Sequence, residues 1–272
     1  MKKVVLSLGG SVLIPALEEH RIARYATVLQ EIAGYVRLYV VVGGGGEARR
    51  YITAAREIGC SEAMADEIGV AVTRLNAMLL AGAPGEAACP LIAESQAEAM
   101  AYGAGDKIVL MGGVTPAQTT DAVAAVLAER CGADLMVNLT SVDGIYTADP
   151  RTDPAAERLD QLTPERLLEI VGTGSLRAGA NTVIDMIAAK VIQRSGIPLL
   201  VIDGRDPGNL ARAQEYLERA YKLRPDPEIA AHLGEVLWAR GQRDEAGNLW
   251  QTSLQTHPQN EVLLETLRRL KP

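Results

Sequence analysis

Three glycine clusters mark the places where this chain could do chemistry: Gly9-Gly10, Gly43 to Gly46, and Gly112-Gly113. Each directly follows a short apolar run: Val4-Val5-Leu6-Ser7-Leu8, Leu38-Tyr39-Val40-Val41-Val42 and Ile108-Val109-Leu110-Met111. Glycine at a strand end lets the backbone approach a ligand closely, because no Cβ intervenes. Where a helix starts there, its first N–H groups and about half a positive charge suit a phosphate. One such pair reads equally well as a plain tight turn. Three in one chain suggest several phosphates along one sheet edge, as phosphoryl transfer between two nucleotides requires. No G-x-x-x-x-G-K-[ST] occurs, and no G-x-G-x-x-G with a following acidic residue supports a dinucleotide site.

Other side chains have two readings each. Arg49 and Arg50 lie near the exposed start of a helix, facing a nucleotide or simply solvated. Asp121 opens a helix, as an N-cap or as a working carboxylate. Asp143-Gly144 reads as a hairpin turn between short strands, and Asp149 before Pro150 as the start of a turn. Ile68, Val72, Leu75 and Leu79 recur at helical spacing, as core or subunit interface. Cys60, Cys89 and Cys131 contain no C-x-x-C, and His20, His232 and His257 lack ligand spacing, so no metal site is expected from them. The cysteines are expected as reduced, mostly buried thiols.

The elements that must position these residues follow from periodicity. Continuous apolar β-branched runs alternate with helix-period stretches near 21–33, 47–58 and 121–130, and two more strands read at Leu135–Leu139 and Leu199–Ile202. That alternation predicts an α/β domain with a parallel sheet covered on both faces, and ligands beyond the carboxyl ends of its strands. The 272 residues include 8 Tyr and 2 Trp but no Phe, and both tryptophans, Trp238 and Trp250, lie near the end. The first part must therefore build its core from Val, Ile, Leu and Ala. Net charge is −6 over residues 1–205 (18 basic, 24 acidic) and −1 over 206–272 (9 basic, 10 acidic). Neither part has the basic excess of a nucleic-acid binder, and no apolar run reaches the ~20 residues of a membrane helix.

The runs Leu8-Gly9-Gly10-Ser11, Val42-Gly43-Gly44-Gly45-Gly46, Met111 to Ala122 and Asn138 to Pro150 resemble the amino acid kinase family. Within that family the resemblance is to its archaeal uridylate kinase branch, through T-x-x-D-G-x-Y-T-x-D-P and P-x-x-T-T-D-A, and it covers about residues 1–210. It implies a three-layer αβα sandwich, transfer of the ATP γ-phosphate to UMP with Mg²⁺ in cytoplasmic pyrimidine nucleotide biosynthesis, and a homo-oligomer, usually a hexamer. Carried over by motif, Gly9, Gly10, Gly45 and Arg49 should face ATP, with Thr140, Tyr146 and Asp149 surrounding the adenine nucleotide. Gly44 and Asp66 should face UMP, and Val114, Thr115, Pro116, Ala117, Gln118, Thr119 and Thr120 should wrap it. Asp121 should organise the donors around the transferring phosphoryl. Many family members carry a lysine where Ser7 stands, and the archaeal branch tends to lack it. The family's short closing segment past Asp203-Gly204-Arg205-Asp206-Pro207 is also missing.

From Asp206 the vocabulary changes, giving expected domains 1–206 and 207–272. Helices read near 208–223, 228–240, 243–256 and 260–270, and pairs such as Ala213 with Ala246, Leu217 with Trp250 and Pro225 with Pro258 repeat at 33 residues. Leu233-Gly234, Leu237, Gly241, Ala246, Trp250, Ser253-Leu254 and Pro258 resemble a tetratricopeptide repeat (TPR), implying an all-α segment of one and a half repeats with a protein partner. Trp238, one residue past Leu237, is a candidate for docking against a neighbour.

Overall fold

A computed structural model describes residues 2–34, 36–147, 155–173, 183–211, 227–239 and 242–270. Two compact units emerge, Met1–Pro207 and Gly208–Pro272.

In the first unit the expected apolar runs form strands β1 (Lys3–Leu8), β2 (Arg37–Val42), β4 (Ile108–Met111), β5 (Leu135–Thr140) and β8 (Leu199–Asp203). They join β3 (Ala88–Ala93) in one parallel sheet of order β3-β4-β2-β1-β5-β8. The sequence reading has no strand at β3. It is an edge strand interrupted by Pro90, a residue that only an edge tolerates, so its pattern is weak. Between the strands run α1 (Gly10–Leu13), α2 (Ile22–Ala33), α3 (Gly45–Glu57), α4 (Glu62–Gly82), α5 (Gln96–Tyr102), α6 (Thr120–Cys131), α7 (Pro164–Thr173) and α8 (Met186–Ser195).

Alternation along the strands divides the core. Val5, Tyr39, Val41, Val109, Met111 and Met136 point to one face, where they pack with α5, α6 and α8. Leu6, Leu8, Leu38, Val40, Val42, Ile108 and Leu110 point to the other, where α2 and α4 cover β2 and β4. This is an α/β fold with a central parallel sheet flanked by helices. Helix α6 buries Ala122, Ala124, Ala125 and Ala128, small side chains that let it lie close across β1, β2 and β5. The core is thus filled without phenylalanine.

Two local readings are corrected, and the α4 stripe, expected as core or subunit interface, divides between buried and exposed residues. Asp143-Gly144 does not turn between paired strands: β6 (Ile145–Tyr146) pairs antiparallel with β7 (Arg158–Leu159), so the intervening chain is residues 147–157. On α4 the expected stripe splits, with Val72 buried but Leu75 55% and Leu79 45% exposed. The buried row is instead Ala65, Gly69, Val72, Thr73, Asn76 and Leu80, and two of those are polar. Of the cysteines only Cys131 is buried, and all three are free.

In the second unit the described residues form helices α9 (Gly208–Ala211), α10 (Pro227–Ala239), α11 (Arg243–Thr256) and α12 (Glu261–Leu270). Ala213, Leu217 and Pro225, on which the 33-residue period rests, and Gly241 lie outside the described residues. Trp250 is fully buried and donates from Nε1 to the Ala231 carbonyl at 3.3 Å. It fits because residue 234 is glycine, where a Cβ would lie 1.9 Å from that nitrogen. Trp238 packs within its own unit, 5.7 Å from Trp250 between ring centroids, with the Arg243 guanidinium 5.3 Å over its ring. Among the described residues no helix is long and apolar enough to cross a membrane.

The glycines can be ranked by the space around them. A Cβ on Gly10 would meet the Gly45 nitrogen at 2.2 Å and the Gly43 oxygen at 2.4 Å, both backbone atoms with no room to yield. Gly82 ends α4 with nothing within 4 Å. Urea unfolding is expected to show Gly10→Ala destabilised by about 3 kcal/mol or more, and Gly82→Ala unchanged or stabilised by up to ~1 kcal/mol. Equal effects would contradict the packing described.

Candidate active site

The carboxyl ends of β1, β2, β4 and β5 meet along one edge of the sheet, and the expected residues gather there in two groups. At the centre, the turn after β1 is pressed against the turn after β2. Parallel pairing brings Leu8 opposite Val42, and Gly43 N–H donates to the Leu8 carbonyl at 2.9 Å. Gly10 touches the Gly43 and Gly45 backbones directly, and Gly45 adopts φ +68°, where only glycine is unstrained. On its other side Gly9 N–H donates to the Leu139 carbonyl at 3.0 Å, which ties β1's turn to the end of β5 beside Thr140. Gly9, Gly10, Gly44, Gly45 and Thr140 are therefore neighbours. α3 begins at Gly45 with no side-chain cap, which leaves its first-turn N–H groups for a ligand.

The second group hangs from α4. Asp66 accepts from Ala117 N–H at 2.8 Å, and Ala117 holds φ +60°, unusual for a residue with a Cβ. The loop Val114–Thr119 is thus anchored to α4 at its tip. At its base, Gly113 N–H donates to Thr73 Oγ at 2.6 Å, and Arg74 donates to the Gly113 carbonyl at 3.2 Å while pairing with Glu94 at 2.6 Å. Asn76 Nδ2 donates to the Gly43 and Gly44 carbonyls at 2.9 and 3.1 Å. A groove of about 490 Å³ runs between α4 and this loop, lined by Glu67, Val70, Arg74, Leu75, Val114 and Pro116 among others.

Asp121 connects the two groups. It is not the N-cap of α6: Thr119 is, its Oγ accepting from Ala122 N–H at 3.1 Å. Its carboxylate is left to accept from Ser7 Oγ at 2.5 Å. Ser7 and Asn138 are side by side in the β1–β5 register, both almost fully buried; Ser7 hydrogen-bonds to Asp121, while Asn138 Nδ2 donates to the Val183 carbonyl at 2.7 Å and favours the charged form of Asp121. Burial raises the Asp121 pKa to about 6, against the Ser7 hydrogen bond; the nearby charge of Asp185 adds to the rise, and Asn138 opposes it. Asp185 caps α8 by accepting from Ile187 and Ala188 N–H at 2.7 and 3.0 Å, and it also accepts from the Thr119 hydroxyl.

Some expected residues are not drawn in. Arg49 is exposed on α3 with no ion pair among the described residues, whereas Arg50 pairs with Glu47 at 3.1 Å. Tyr146 donates to Asp143 at 2.9 Å within its own segment, and Asp149 lies outside the described residues. Thr115, Gln118 and Thr120 stand along the loop with partial or full exposure. Sequence reasoning missed Thr73, Arg74, Asn76, Asn138 and Asp185. For Asp185 a signal existed, since an aspartate before Met186-Ile187-Ala188-Ala189 is an N-cap pattern. Among the described residues no group of three or more His, Cys, Asp or Glu could hold a metal ion alone.

Comparison with known proteins adds to this geometry. The model of the Amino acid kinase family matches residues 2–203. The uridylate kinase of Methanoculleus marisnigri is 61% identical over 213 residues, which span 78% of this chain and 91% of that protein. That of Methanoregula boonei is 59% identical over 211 residues, 78% and 90% of the two chains. The crystal structure of uridylate kinase from Archaeoglobus fulgidus matches with a TM-score of 0.71 at 47% identity, over 78% of this chain and 95% of that one. UMP kinase from Bacillus anthracis, at 21% identity and a TM-score of 0.64 over 78% and 91%, shares the fold.

Because the folded pKa of Asp121 lies above its ordinary value of 3.8, its ionisation works against the fold. The penalty is absent below about pH 4 and complete above about pH 6. In nucleotide-free protein, Asp121→Asn is expected to raise the unfolding free energy by roughly 1–3 kcal/mol at pH 7.5 and to leave it near the parent value at pH 4. Denaturant titrations at the two pH values check this. An equal change at both would mean the carboxylate is not held at a cost.

Proposed function

The chain belongs to the amino acid kinase family, and from that premise we propose that it is a UMP kinase, transferring the γ-phosphate of ATP to UMP and so serving pyrimidine nucleotide synthesis. The observation that carries the reading is the direct contact of Gly10 with Gly45, which puts two phosphate-sized turns side by side with Asp121 behind them. The uridylate kinase relatives support the choice of acceptor.

In this reading ATP phosphates lie against the Gly9 backbone and on the N–H groups of Gly10 and Gly45, with Arg49 swinging in from α3. Thr140, Tyr146 and Asp149 border its adenosine end. The UMP phosphate faces Gly44, its ribose hydroxyls meet Asp66, and Val114 to Thr120 close over the base, with Thr119 and Thr120 offering hydroxyls. An oxygen of the UMP phosphate attacks the γ-phosphorus in line, and the bond to the β-bridging oxygen breaks, releasing ADP and UDP. Such transfer needs positioning and charge stabilisation more than covalent help from the protein. Magnesium takes one or two carboxylates beside nucleotide phosphates. Asp121 and Asp185, the two carboxylates near one another here, would hold it, and the ion would supply charge neutralisation at the transferring phosphoryl. Ser7 and Asn138 fix the Asp121 carboxylate, so the donors it organises are already in place before transfer. With Ser7 in place of a lysine, backbone N–H groups and Arg49 carry the remaining positive potential.

Residues 207–272 we read as a TPR-like module for protein contact, and the enzyme as a cytoplasmic homo-oligomer, six-fold by family resemblance. Support for the module comes from the small buried residues Gly234, Ala246 and Ser253, which let α10 and α11 approach closely around Trp250. Repeats of this kind bury their apolar faces against stacked neighbours, which is why a protein contact is proposed for it.

An ADP-release assay with UMP, CMP, carbamate, N-acetylglutamate and isopentenyl phosphate tests the activity. Turnover with UMP is expected, and turnover only with another acceptor would refute the assignment. Asp66→Ala is expected to raise the KM for UMP at least tenfold with the KM for ATP within about twofold, since ~1.4 kcal/mol of lost acceptor binding is tenfold. A parallel rise in both would mean that the two subsites are wrongly divided.

A further inference from the structure

Helix α4 carries two polar side chains in its buried row, Thr73 and Asn76, 7% and 3% exposed, where apolar residues would fill the space as well. Both send their polar atoms to the same end of the sheet. Asn76 Nδ2 donates to two successive carbonyls, Gly43 and Gly44. The Gly44 carbonyl otherwise receives only a long 3.3 Å bond from Ala48 N–H, so the start of α3 is loosely closed by its own backbone. Thr73 Oγ accepts from Gly113 N–H and donates to the Val70 carbonyl, and its methyl carbon lies 3.4 Å from where a Gly44 Cβ would stand. One turn of helix thus grips the glycine turn after β2 and the glycine turn after β4. Among the described residues neither side chain hydrogen-bonds to the turn after β1 or to Thr140.

We propose that Thr73 and Asn76 are positioning residues for the acceptor: they hold Gly44 and the root of the 114–120 loop at a fixed separation, and so set where the acceptor phosphate sits. Asn76 turns the Gly43 and Gly44 carbonyls toward α4, which leaves the following N–H groups facing the ligand. Thr73 does the converse for Gly113, taking its N–H so that the loop leaves the sheet toward Asp66. Neither side chain touches substrate. The inference rests on the assignment of these two turns to the acceptor.

The test is steady-state kinetics of the full chain with UMP and ATP varied separately, on Thr73→Val, Thr73→Ser and Asn76→Leu. Val keeps the shape of Thr without the hydroxyl, and Ser keeps the hydroxyl without the methyl. The expected result is a rise of tenfold or more in the KM for UMP in Thr73→Val and Asn76→Leu, with the KM for ATP within twofold and Thr73→Ser close to the parent. Should Asn76→Leu not fold, the Val and Ser pair carries the same comparison. Equal rises in both KM values, a loss of thermal stability with both KM values unchanged, or a Ser variant as impaired as Val would each overturn the proposal. If the parent instead phosphorylates another acceptor of the panel, the UMP assignment fails there, and the same variants are read against that acceptor.

Discussion

Two parallel strands can end side by side only if the chains leaving them do not collide, and here that constraint is met by backbone lying on backbone. Gly10 and the Gly43–Gly45 turn touch with no side chain between them, at a separation that no Cβ could share. Two further constraints follow from that contact. Gly45 must take a left-handed conformation to begin α3, and α1 must start at Gly10 immediately after β1. The N–H groups exposed by this crowding are where anions are most easily held. In the proposed reading the same glycines that satisfy packing also hold phosphate, so the structural and chemical reasons for their presence are not alternatives.

Around that contact the protein places polar groups where burial makes them costly. Asp121 sits among Ser7, Asn138 and the charge of Asp185 with its pKa raised to about 6, so it is ionised at neutral pH at the expense of the fold. Two of its neighbours come from adjacent strands in register, and α6 is brought close by its buried alanines. A carboxylate fixed in this way needs little reorganisation when charge moves during transfer. Helix α4 does the matching work on the other side, with Asp66, Thr73, Arg74 and Asn76 each bonded to a loop or turn backbone.

What could be read from the sequence was whatever repeats or clusters. The strand ends were legible because apolar runs stop at glycine pairs, and the sheet class because those runs alternate with helices. β3 was not, since an edge strand with a proline and half-exposed side chains carries little pattern. The roles of Ser7, Thr73, Asn76 and Asn138 were invisible for a different reason. Each is a single polar residue inside an apolar run or stripe, and a hydrogen-bond partner of each lies 30 or more residues away: Gly43 for Asn76, Gly113 for Thr73, Asp121 for Ser7 and Val183 for Asn138. The two readings of Asp121, cap or working carboxylate, show the same limit: Thr119 and Asp121 both suit a helix start, and only the bonds of Ala122 N–H to Thr119 and of Ser7 to Asp121 separate them. In the second unit Trp238, a candidate for an outside contact, also packs on Trp250 and beneath Arg243, neighbours that helical spacing alone does not reveal.

The central claim is that one edge of the sheet holds two nucleotides end to end, the donor over the turns of β1 and β5 and the acceptor against α4. A crystal structure with UMP and a non-hydrolysable ATP analogue measures this directly. The account predicts that the two phosphate ends meet above Gly10 and Gly44, with UMP reaching toward Asp66 and the adenosine toward Thr140. Nucleotides lying in the opposite sense, or UMP away from α4, would contradict it.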